Sequence, residues 1–490
     1  MTPSSVESGA VRPIIAGFYP DPSICRVGDD YYLANSSFEY APGVPIWHSR
    51  DLVTWTQVGN AFEAGVHLAA GSIGPGRGVF APTLRHRGDT WYLITTRVDH
   101  EPPGQTLVTA SSPEGPWSAP VSIPEIDGID PDLVWDDEGV ALVSYCAMRG
   151  DFWGIAQAAV DLETGRALEE PRLIWQGTGM AHPEGPHLYR VGDWWYLLIA
   201  EGGTERGHSV SIARSASPRG PFEAAPSNPI LSHRSTVHPV QNAGHADLVQ
   251  AADGSWALVY LGVRPAGYTP SFHVNGRETF IAGVDWVDGW PVVDEARFKV
   301  PAPPHAFDDA LEGEVLDARW VSPGFAPATV TEPADAGVTL AHRDAPSGAW
   351  SGLYLRTRDP RWQAIAAVDP GDGIAGVGVR MDNRHWCEVR VGDGVARAVA
   401  RIGPLKQQLG ECAVVHGEVE VAIRAIDSLT DGPDDLELSV RAGGEGSVIG
   451  RIDGRYLSTE VASGFTGRVV GVRAVRGRVR LASVSYGPAD

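Results

Sequence analysis

The sequence is poor in cysteine, and its few cysteines are scattered. Cys25, Cys146, Cys387 and Cys412 are the four cysteines among 490 residues, and none of them belongs to a C-x-x-C pair. Small domains held together by disulfides carry cysteine far more densely, and cysteine-rich zinc sites place their ligands in close pairs. The pattern therefore argues against both kinds of protein, and four isolated thiols suit a reducing compartment.

Long apolar runs are missing as well. The longest, residues 194–200 and 256–263, are far shorter than the ~20 residues that a membrane-spanning helix needs. The first twelve residues contain no basic stretch followed by an apolar run, so no secretory signal is visible. We expect a cytoplasmic protein on these grounds, although a sequence from which a signal had been removed would look the same.

Positive charge is the third shortage. The chain has 39 Lys and Arg residues against 61 Asp and Glu residues, which gives a formal net charge of −22 at pH 7. A surface this acidic repels phosphate backbones and anionic lipid headgroups. We therefore expect no nucleic-acid partner and no membrane partner, and a ligand that is neutral or cationic.

Glycine and proline, in contrast, are abundant. The chain contains 58 glycines and 38 prolines without a triplet period, which is typical of many turns that join short strands. Hydrophobic residues make up 43% of the sequence and can fill large cores, so a disordered or fibrous protein is excluded. The length predicts about two or three domains.

A strand–turn–strand unit recurs five times in the first 300 residues. Each unit has a short strand that starts at or near a proline, a turn, and a second strand rich in aromatic and branched residues. The first strands of the five units start at Pro22, Pro82, Pro131, Pro186 and Ala246. Intervals of 49 to 60 residues, each with room for about four strands, are the size of a propeller blade. The repeat predicts an all-β fold with a five-bladed β-propeller over residues 11–300.

The carboxyl-terminal part lacks this repeat. Residues 301–306 are rich in proline and predict a semi-rigid linker. Beyond them, short strand-like segments alternate with glycine and aspartate turns to the end of the chain. This pattern predicts a β-sandwich over residues 307–490.

The repeat allows equivalent positions to be compared within one sequence. The residues just before the repeated proline are Asp21, Ala81, Asp130, Gly185 with Glu184 beside it, and His245. The first strand of each blade lines the axis of a propeller, so these positions are expected at one depth around one axis. Carboxylates gathered there raise at least one pKa, which suits acid–base chemistry. The alternative is that each aspartate only caps a turn before proline.

The segments around these positions resemble the signature segments of glycoside hydrolase family 43. They are residues 19–23, 80–84, 129–131, 183–186, 200–204, 244–249 and 264–265. The chain is most similar to the branch of β-xylosidases and α-L-arabinofuranosidases in which a sandwich follows the propeller. Two segments of the tail, residues 453–459 and 464–467, resemble that accessory domain.

This resemblance implies a role for each carboxylate. Asp21 would be the general base that activates water, and Glu184 the general acid that protonates the departing glycosidic oxygen. Asp130 would orient that acid and raise its pKa. Because the family inverts the anomeric configuration, we expect the Asp21 and Glu184 carboxyls roughly 6.5–9.5 Å apart. No cofactor is required, and the resemblance leaves open a supporting calcium ion near His245.

The resemblance also implies a set of sugar-binding residues. Arg264 would donate hydrogen bonds to sugar hydroxyls; a salt bridge to a core acid is the alternative for it, and both can hold at once. His245 would lie at the axis unless it is merely structural. The other expected members are Phe38, Phe80, Ala81, Thr204 and Phe465. Phe80 departs from the family, whose members commonly carry tryptophan there. Phe465 can reach the site only if the sandwich folds back onto the propeller.

The expected function is that of an inverting exo-glycosidase that removes terminal pentoses from small oligosaccharides. β-D-xylose from xylo-oligosaccharides is the first choice of sugar. α-L-arabinose from arabinose-decorated oligosaccharides is the alternative, because the two sugars share much of their hydroxyl geometry. A carbohydrate-binding propeller without turnover is a minor alternative. Members of the family are often oligomeric, which leaves a homo-oligomer open.

Overall fold

The computed structural model describes residues 11–63, 71, 73–98, 104–149, 152–302, 304–313, 315–345, 347–348, 350–442 and 445–489. Regular structure in these residues is almost entirely antiparallel β-strand, so the prediction of an all-β chain is confirmed. No helix in these ranges has the length and apolar character needed to cross a membrane. The predicted linker contains Pro303, which lies outside the described residues.

Within its described residues, the amino-terminal part forms five antiparallel sheets of consecutive strands. The first sheet consists of β1 (Ser23–Val27), β2 (Asp30–Ala34), β4 (Gly43–Ser49) and β5 (Thr56–Phe62), while β3 (Tyr40–Ala41) pairs elsewhere. The second consists of β6 (Val79–Arg87), β7 (Thr90–Arg97), β8 (Gly104–Ala110) and β9 (Val121–Ile123). The third consists of β10 (Ile129–Trp135), β11 (Ala141–Arg149), β12 (Phe152–Asp161), β13 (Arg166–Ala167) and β14 (Arg172–Trp175).

The last two of these sheets follow the same plan. The fourth consists of β15 (Glu184–Val191), β16 (Trp194–Glu201), β17 (Ser209–Ser215) and β18 (Glu223–Ala224). The fifth consists of β19 (Gln241–Gln250), β20 (Trp256–Val263), β21 (Glu278–Val287) and β22 (Trp290–Asp294). Each strand–turn–strand unit found in the sequence is the first hairpin of one sheet.

The first strands of the five sheets contact one another in a closed ring, in the order β1, β6, β10, β15, β19 and back to β1. A buried polar network crosses this ring. Arg85 of β6 donates to Asp132 of β10 at 2.7 Å and to Asp247 of β19 at 3.2 Å. Ser23 of β1 donates to Asp247, and His187 of β15 lies 3.1 Å from Asp132. Arg85 thus lies beside two buried carboxylates, and each of them has an opposite charge next to it.

The carboxyl-terminal part forms two facing sheets, as the sandwich prediction requires. One contains β25 (Thr331–Pro333), β26 (Val338–Ala341), β37 (Arg478–Pro488), β28 (Trp362–Asp369), β33 (Val419–Ile426), β34 (Asp435–Ala442) and β35 (Glu445–Asp453), with β23 (Phe307–Asp309) beside β37. The other contains β27 (Gly352–Arg356), β36 (Val469–Arg476), β29 (Ile374–Arg380), β30 (His385–Gly392), β31 (Val395–Ile402) and β32 (Leu405–Ala413). The short helices are α1 (Pro327–Val330), α2 (Thr459–Ala462) and a 3-10 turn (Gly454–Leu457).

The two parts of the chain are joined by strand pairing and by a buried ion pair. Strand β24 (Ser322–Pro323) pairs with β3 of the amino-terminal part. Arg380 of β29 donates to the Tyr40 hydroxyl at 2.5 Å and lies 3.4 Å from the Glu39 carboxylate, and Arg380 and Glu39 are each about 1% exposed. These contacts hold the sandwich against the five sheets. The exact boundaries of the two domains, at residues 300 and 307, stay a prediction.

Candidate active site

The residues before the repeated proline lie where the first strands are irregular. The pairing of β10, β15 and β19 with their neighbours shifts register at this point, which is the mark of a β-bulge. The backbone there is left-handed, with φ of 53° at Asp21, 56° at Asp130, 55° at Gly185 and 43° at His245. Such backbone costs of order 1–3 kcal/mol at a residue other than glycine and is kept mainly where it aims a side chain at a functional site. In the fourth sheet glycine takes the left-handed position, so the acid, Glu184, is one residue earlier.

Two glycines make room for two histidine rings at this level. A Cβ atom on Gly185 would lie 3.0 Å from the imidazole of His245. A Cβ atom on Gly244 would lie 2.3 Å from the imidazole of His208, closer than any side chain can approach. Both imidazoles therefore pack directly against backbone, which fixes where their nitrogens point.

Asp21 is buried, and its carboxylate accepts hydrogen bonds from two side chains. Arg277 donates Nη1–H to Oδ1 at 3.0 Å, and the Ser36 hydroxyl donates to Oδ2. The Nδ1 atom of His245 lies 3.6 Å from Oδ1. Burial raises the pKa of Asp21, but Arg277, His245 and Ser36 together hold it below its ordinary value. Asp21 is thus ionised at neutral pH, which is the state that a general base needs.

Asp130 lies beside the other two acids. Its Oδ2 atom accepts a hydrogen bond from the backbone N–H of Gly185 at 3.2 Å. Burial, followed by the negative charges of Glu184 and Asp21, raises the pKa of Asp130 well above its ordinary value. The cluster therefore keeps a proton at a pH where isolated carboxyl groups would be ionised.

The environment of Glu184 differs from what the sequence suggests. Burial raises the pKa of Glu184, but His208 and His245 outweigh burial and lower it. The sequence predicts that Asp130 raises the pKa of Glu184; with both histidines nearby the net pKa of Glu184 is lowered, and the carboxyl whose net pKa is raised is that of Asp130. The physical reason is that Glu184 has an imidazole beside Oε1, and Asp130 has one backbone donor and two negative neighbours.

Sequence reasoning missed His208, which is fully buried. Its Nδ1 atom lies 3.0 Å from the carbonyl oxygen of Asn242. Its Nε2 atom lies 3.5 Å from Oε1 of Glu184 and makes no hydrogen bond within the described residues. His208 immediately precedes β17, the third strand of its sheet.

The arginine beside the carboxylates is Arg277, which sequence reasoning also missed. Besides Asp21, it donates to the Thr204 hydroxyl at 3.1 Å and to the carbonyl oxygen of Phe465 at 3.3 Å. Arg264 does not join this group, because its guanidinium forms a bidentate salt bridge with buried Glu278, with hydrogen bonds of 2.6 and 2.8 Å. The salt bridge to a core acid is thus present, and a contact of Arg264 with sugar stays a prediction. Arg277 immediately precedes β21, also the third strand of its sheet.

An aromatic wall stands next to Arg277. The rings of Phe38 and Phe80 have centroids 5.1 Å apart, and Phe465 stacks on Phe38 at 5.6 Å. The Arg277 guanidinium lies 5.6 Å from the ring centre of Phe38 and 5.5 Å from that of Phe465. The sandwich therefore does fold back and brings Phe465 to the site. Ala81, next to Phe80 in β6, is buried.

The structure also contains a group of side chains that could bind a metal ion. Among the described residues, His233, His238 and Glu295 form the group whose ligand atoms, all within 4.8 Å of one another, could hold an ion. His245 is not part of that group, and its Nδ1 faces Asp21. Calcium takes six to eight oxygen ligands. A calcium ion near His245 stays a prediction, and no chemical step depends on it.

The arrangement combines an ionised carboxylate, a carboxyl cluster that retains a proton, an arginine and an aromatic wall. Ionised and protonated carboxyl groups held in one site are the components of acid–base hydrolysis of a glycosidic bond. An arginine fork suits paired oxygens, and aromatic faces pack on the apolar face of a sugar ring.

Two family models match the chain, each over a different part of it. Residues 10–291 match the glycosyl hydrolases family 43, and residues 348–485 match the beta xylosidase C-terminal concanavalin A-like domain.

Curated relatives are similar over nearly the whole chain. A non-reducing end alpha-L-arabinofuranosidase of Bacteroides ovatus is 35% identical over 94% of this chain and 90% of that protein. A xylosidase/arabinosidase of Butyrivibrio fibrisolvens is 34% identical over 95% of each chain. Among solved structures, a xylan beta-1,4-xylosidase from Bacillus halodurans aligns with a TM-score of 0.87 and 27% identity over 98% of this chain and 100% of that one.

Proposed function

The chain belongs to glycosyl hydrolases family 43 and is therefore a glycoside hydrolase, and from this premise we propose an inverting exo-enzyme that releases terminal pentoses. We rank β-D-xylose from xylo-oligosaccharides first and α-L-arabinose from arabinose-decorated oligosaccharides second. The names of the Bacteroides and Butyrivibrio relatives support both sugars. The observation that carries the proposal is the grouping of Asp21, Asp130 and Glu184 beside Arg277 and an aromatic wall.

In this proposal each carboxylate has one task. Asp21 takes a proton from the attacking water, and Glu184 gives a proton to the departing oxygen as the glycosidic bond breaks. Asp130 and Glu184 disfavour each other's ionisation, so the pair retains a proton for that step. Arg277 holds Asp21 ionised and is placed to donate to sugar hydroxyls. The separation of roughly 6.5–9.5 Å between the Asp21 and Glu184 carboxyls stays a prediction of the inverting mechanism.

The same proposal covers the architecture. The five amino-terminal sheets are the blades of a five-bladed propeller over residues 11–300, followed by a linker at 301–306 and a sandwich over 307–490. The closed ring of first-strand contacts supports five blades around one axis. Four free cysteines support a cytoplasmic location, in which the substrates are small oligosaccharides.

The sugar preference is tested by initial rates on an aryl β-D-xylopyranoside and an aryl α-L-arabinofuranoside under the same conditions. We expect hydrolysis of both and a higher kcat/KM for the xyloside. A clear preference for the arabinofuranoside would promote the second sugar and make Phe80 the first residue to examine, because its ring is smaller than the tryptophan common in the family. Hydrolysis of neither aryl glycoside would overturn the proposed release of pentoses.

The pH dependence gives a test of Arg277. Burial raises the pKa of Asp21 and Arg277 is the largest opposing influence, so Arg277→Met should raise that pKa. The base works only when ionised, so activity disappears as the pH falls through its pKa. The acid limb of kcat/KM is therefore expected to move to higher pH by about one unit or more in Arg277→Met.

Arg277→Lys is the matched control, because it keeps the positive charge and should shift the limb less. An acid limb that stays in place in Arg277→Met would mean that another group keeps Asp21 ionised. Both profiles should be measured on an aryl glycoside with a good leaving group, so that protonation of the leaving group does not limit the rate.

A further inference from the structure

The tautomer of His208 follows from its surroundings. A carbonyl oxygen can only accept a hydrogen bond, so the 3.0 Å contact with Asn242 requires the proton on Nδ1. In the neutral ring Nε2 then carries a lone pair. The ring packs on the backbone of Gly244 with no room to spare, which fixes the direction of that lone pair.

That lone pair points at the proposed acid. Nε2 lies 3.5 Å from Oε1 of Glu184, and the imidazole is 0% exposed. A lone pair facing an ionised carboxylate is repulsive, and Nε2 of His208 is buried, so solvent cannot supply the missing hydrogen bond at that atom. The contact is favourable only when one proton lies between the two atoms, either on Glu184 or on His208.

We propose that His208 is a positioning residue that shares one proton with Glu184 and thereby keeps Glu184 able to act as an acid. The two residues are called the proton pair below. The inference deepens the proposed function and rests on it, because it takes Glu184 to be the general acid. In each turnover the pair gives its proton to the leaving oxygen while Asp21 gains one from water. The pair then regains a proton from solvent and Asp21 releases one, so no net proton is consumed.

Other ionisable groups face the proton pair from the neighbouring strands. Asp21 and Arg277 form an ion pair with each other, and burial lowers the pKa of His245 to about 4, so that it is neutral at neutral pH. Burial raises the pKa of the Cys146 thiol, which keeps it uncharged. Asp130, whose pKa is raised, is the one competitor for the proton among these described groups. Asp130 and the proton pair therefore compete for a proton.

His208→Gln tests the proposal directly. A glutamine amide can reach the position of Nε2 and hydrogen-bond to Glu184 in either protonation state, but it holds no titratable proton. Its N–H stabilises the ionised carboxylate, so the basic limb of kcat/KM is expected to move to lower pH by about one unit. At pH values above that limb, kcat/KM of the variant for xylo-oligosaccharides should fall about tenfold. For aryl glycosides with good leaving groups, kcat/KM should fall about twofold at most.

Two comparisons complete this test. His342→Gln is the matched control, because His342 lies in the sandwich with 40% of its side chain exposed, and its profile should equal that of the wild type. Glu184→Gln distinguishes a failure of the proposed function from a failure of the role of His208. If Glu184→Gln does not discriminate between leaving groups, the proposed function fails. If it does, but His208→Gln leaves the basic limb in place, only the role of His208 is overturned.

A measurement on the wild-type protein covers the case in which His208→Gln does not fold. In protein labelled with ¹⁵N-histidine, we expect one histidine to keep its proton on Nδ1 while its Nε2 signal changes along the basic limb. The same signal should lose this transition in Glu184→Gln. If no histidine signal shows both properties, the proton pair does not exist.

Discussion

Replacing Asp21 with asparagine is expected to lower kcat by about 10³-fold or more on xylosides and arabinofuranosides alike. The reason is that Asp21 is ionised at neutral pH and is the proposed base, while Asp130 has a raised pKa and Glu184 is the proposed acid. Asparagine is chosen because it tolerates left-handed backbone such as the φ of 53° at this position. It can also keep one acceptor for Arg277. The loss is then a loss of chemistry with the fold intact.

Asp29→Asn is the matched control for this experiment. Asp29 is exposed in the turn of the same hairpin, so the change removes the same charge without touching the site. Thermal unfolding and sugar binding of both variants should match the wild type. Retained turnover in Asp21→Asn, on either substrate, would remove Asp21 as the base.

Replacing Glu184 with glutamine is expected to lower kcat on xylo-oligosaccharides by about 10²–10⁴-fold, and far less on aryl glycosides whose phenolate leaves without protonation. Glutamine has the shape of glutamate and keeps an atom opposite His208, so the geometry of the site is preserved. The measurement is a plot of log kcat against the pKa of the leaving group for wild type and variant. The variant should depend much more steeply on the leaving group.

Glu170→Gln is a suitable control here, since Glu170 is exposed and remote in sequence from the repeat positions. Equal losses on all leaving groups would contradict the assignment of Glu184 as the acid. A steep dependence already present in the wild type would mean that protonation is slow even with Glu184 in place.

The sequence repeat carries most of what could be predicted about the site. A repeat compares like positions, and the position before the repeated proline led to Asp21, Asp130 and His245 without any other sequence. The structure adds the physical cause, which is a left-handed residue at that position. It also explains why Glu184 stands one residue out of phase, because Gly185 takes the left-handed position in the fourth sheet.

The sequence repeat did not reveal Arg277 and His208, because only positions in the first strand of each unit were compared. Each of them immediately precedes the third strand of its sheet, β21 and β17 respectively. The same kind of comparison, applied to the starts of the third strands, would have drawn attention to both. Charged or polar residues at the entrance to an apolar strand are a signal that sequence alone can supply.

The electrostatics, in contrast, could not be predicted from the sequence. Whether Asp130 or Glu184 holds the higher pKa depends on an imidazole that belongs to neither motif. The position of Phe465 also depends on how the sandwich folds back, and no pattern within residues 464–467 specifies that. Long-range packing decides both properties, and local sequence records neither.

The place of Phe465 at the aromatic wall limits how genes for such proteins can recombine. A crossover between the two parts that imported a sandwich from a distant homologue would also import the side chain that stacks on Phe38 and lies beside the Arg277 guanidinium. The surface that we propose to bind sugar would change even though every amino-terminal codon stayed the same. An exchange of the sandwich alone is therefore expected to alter the aromatic wall as well.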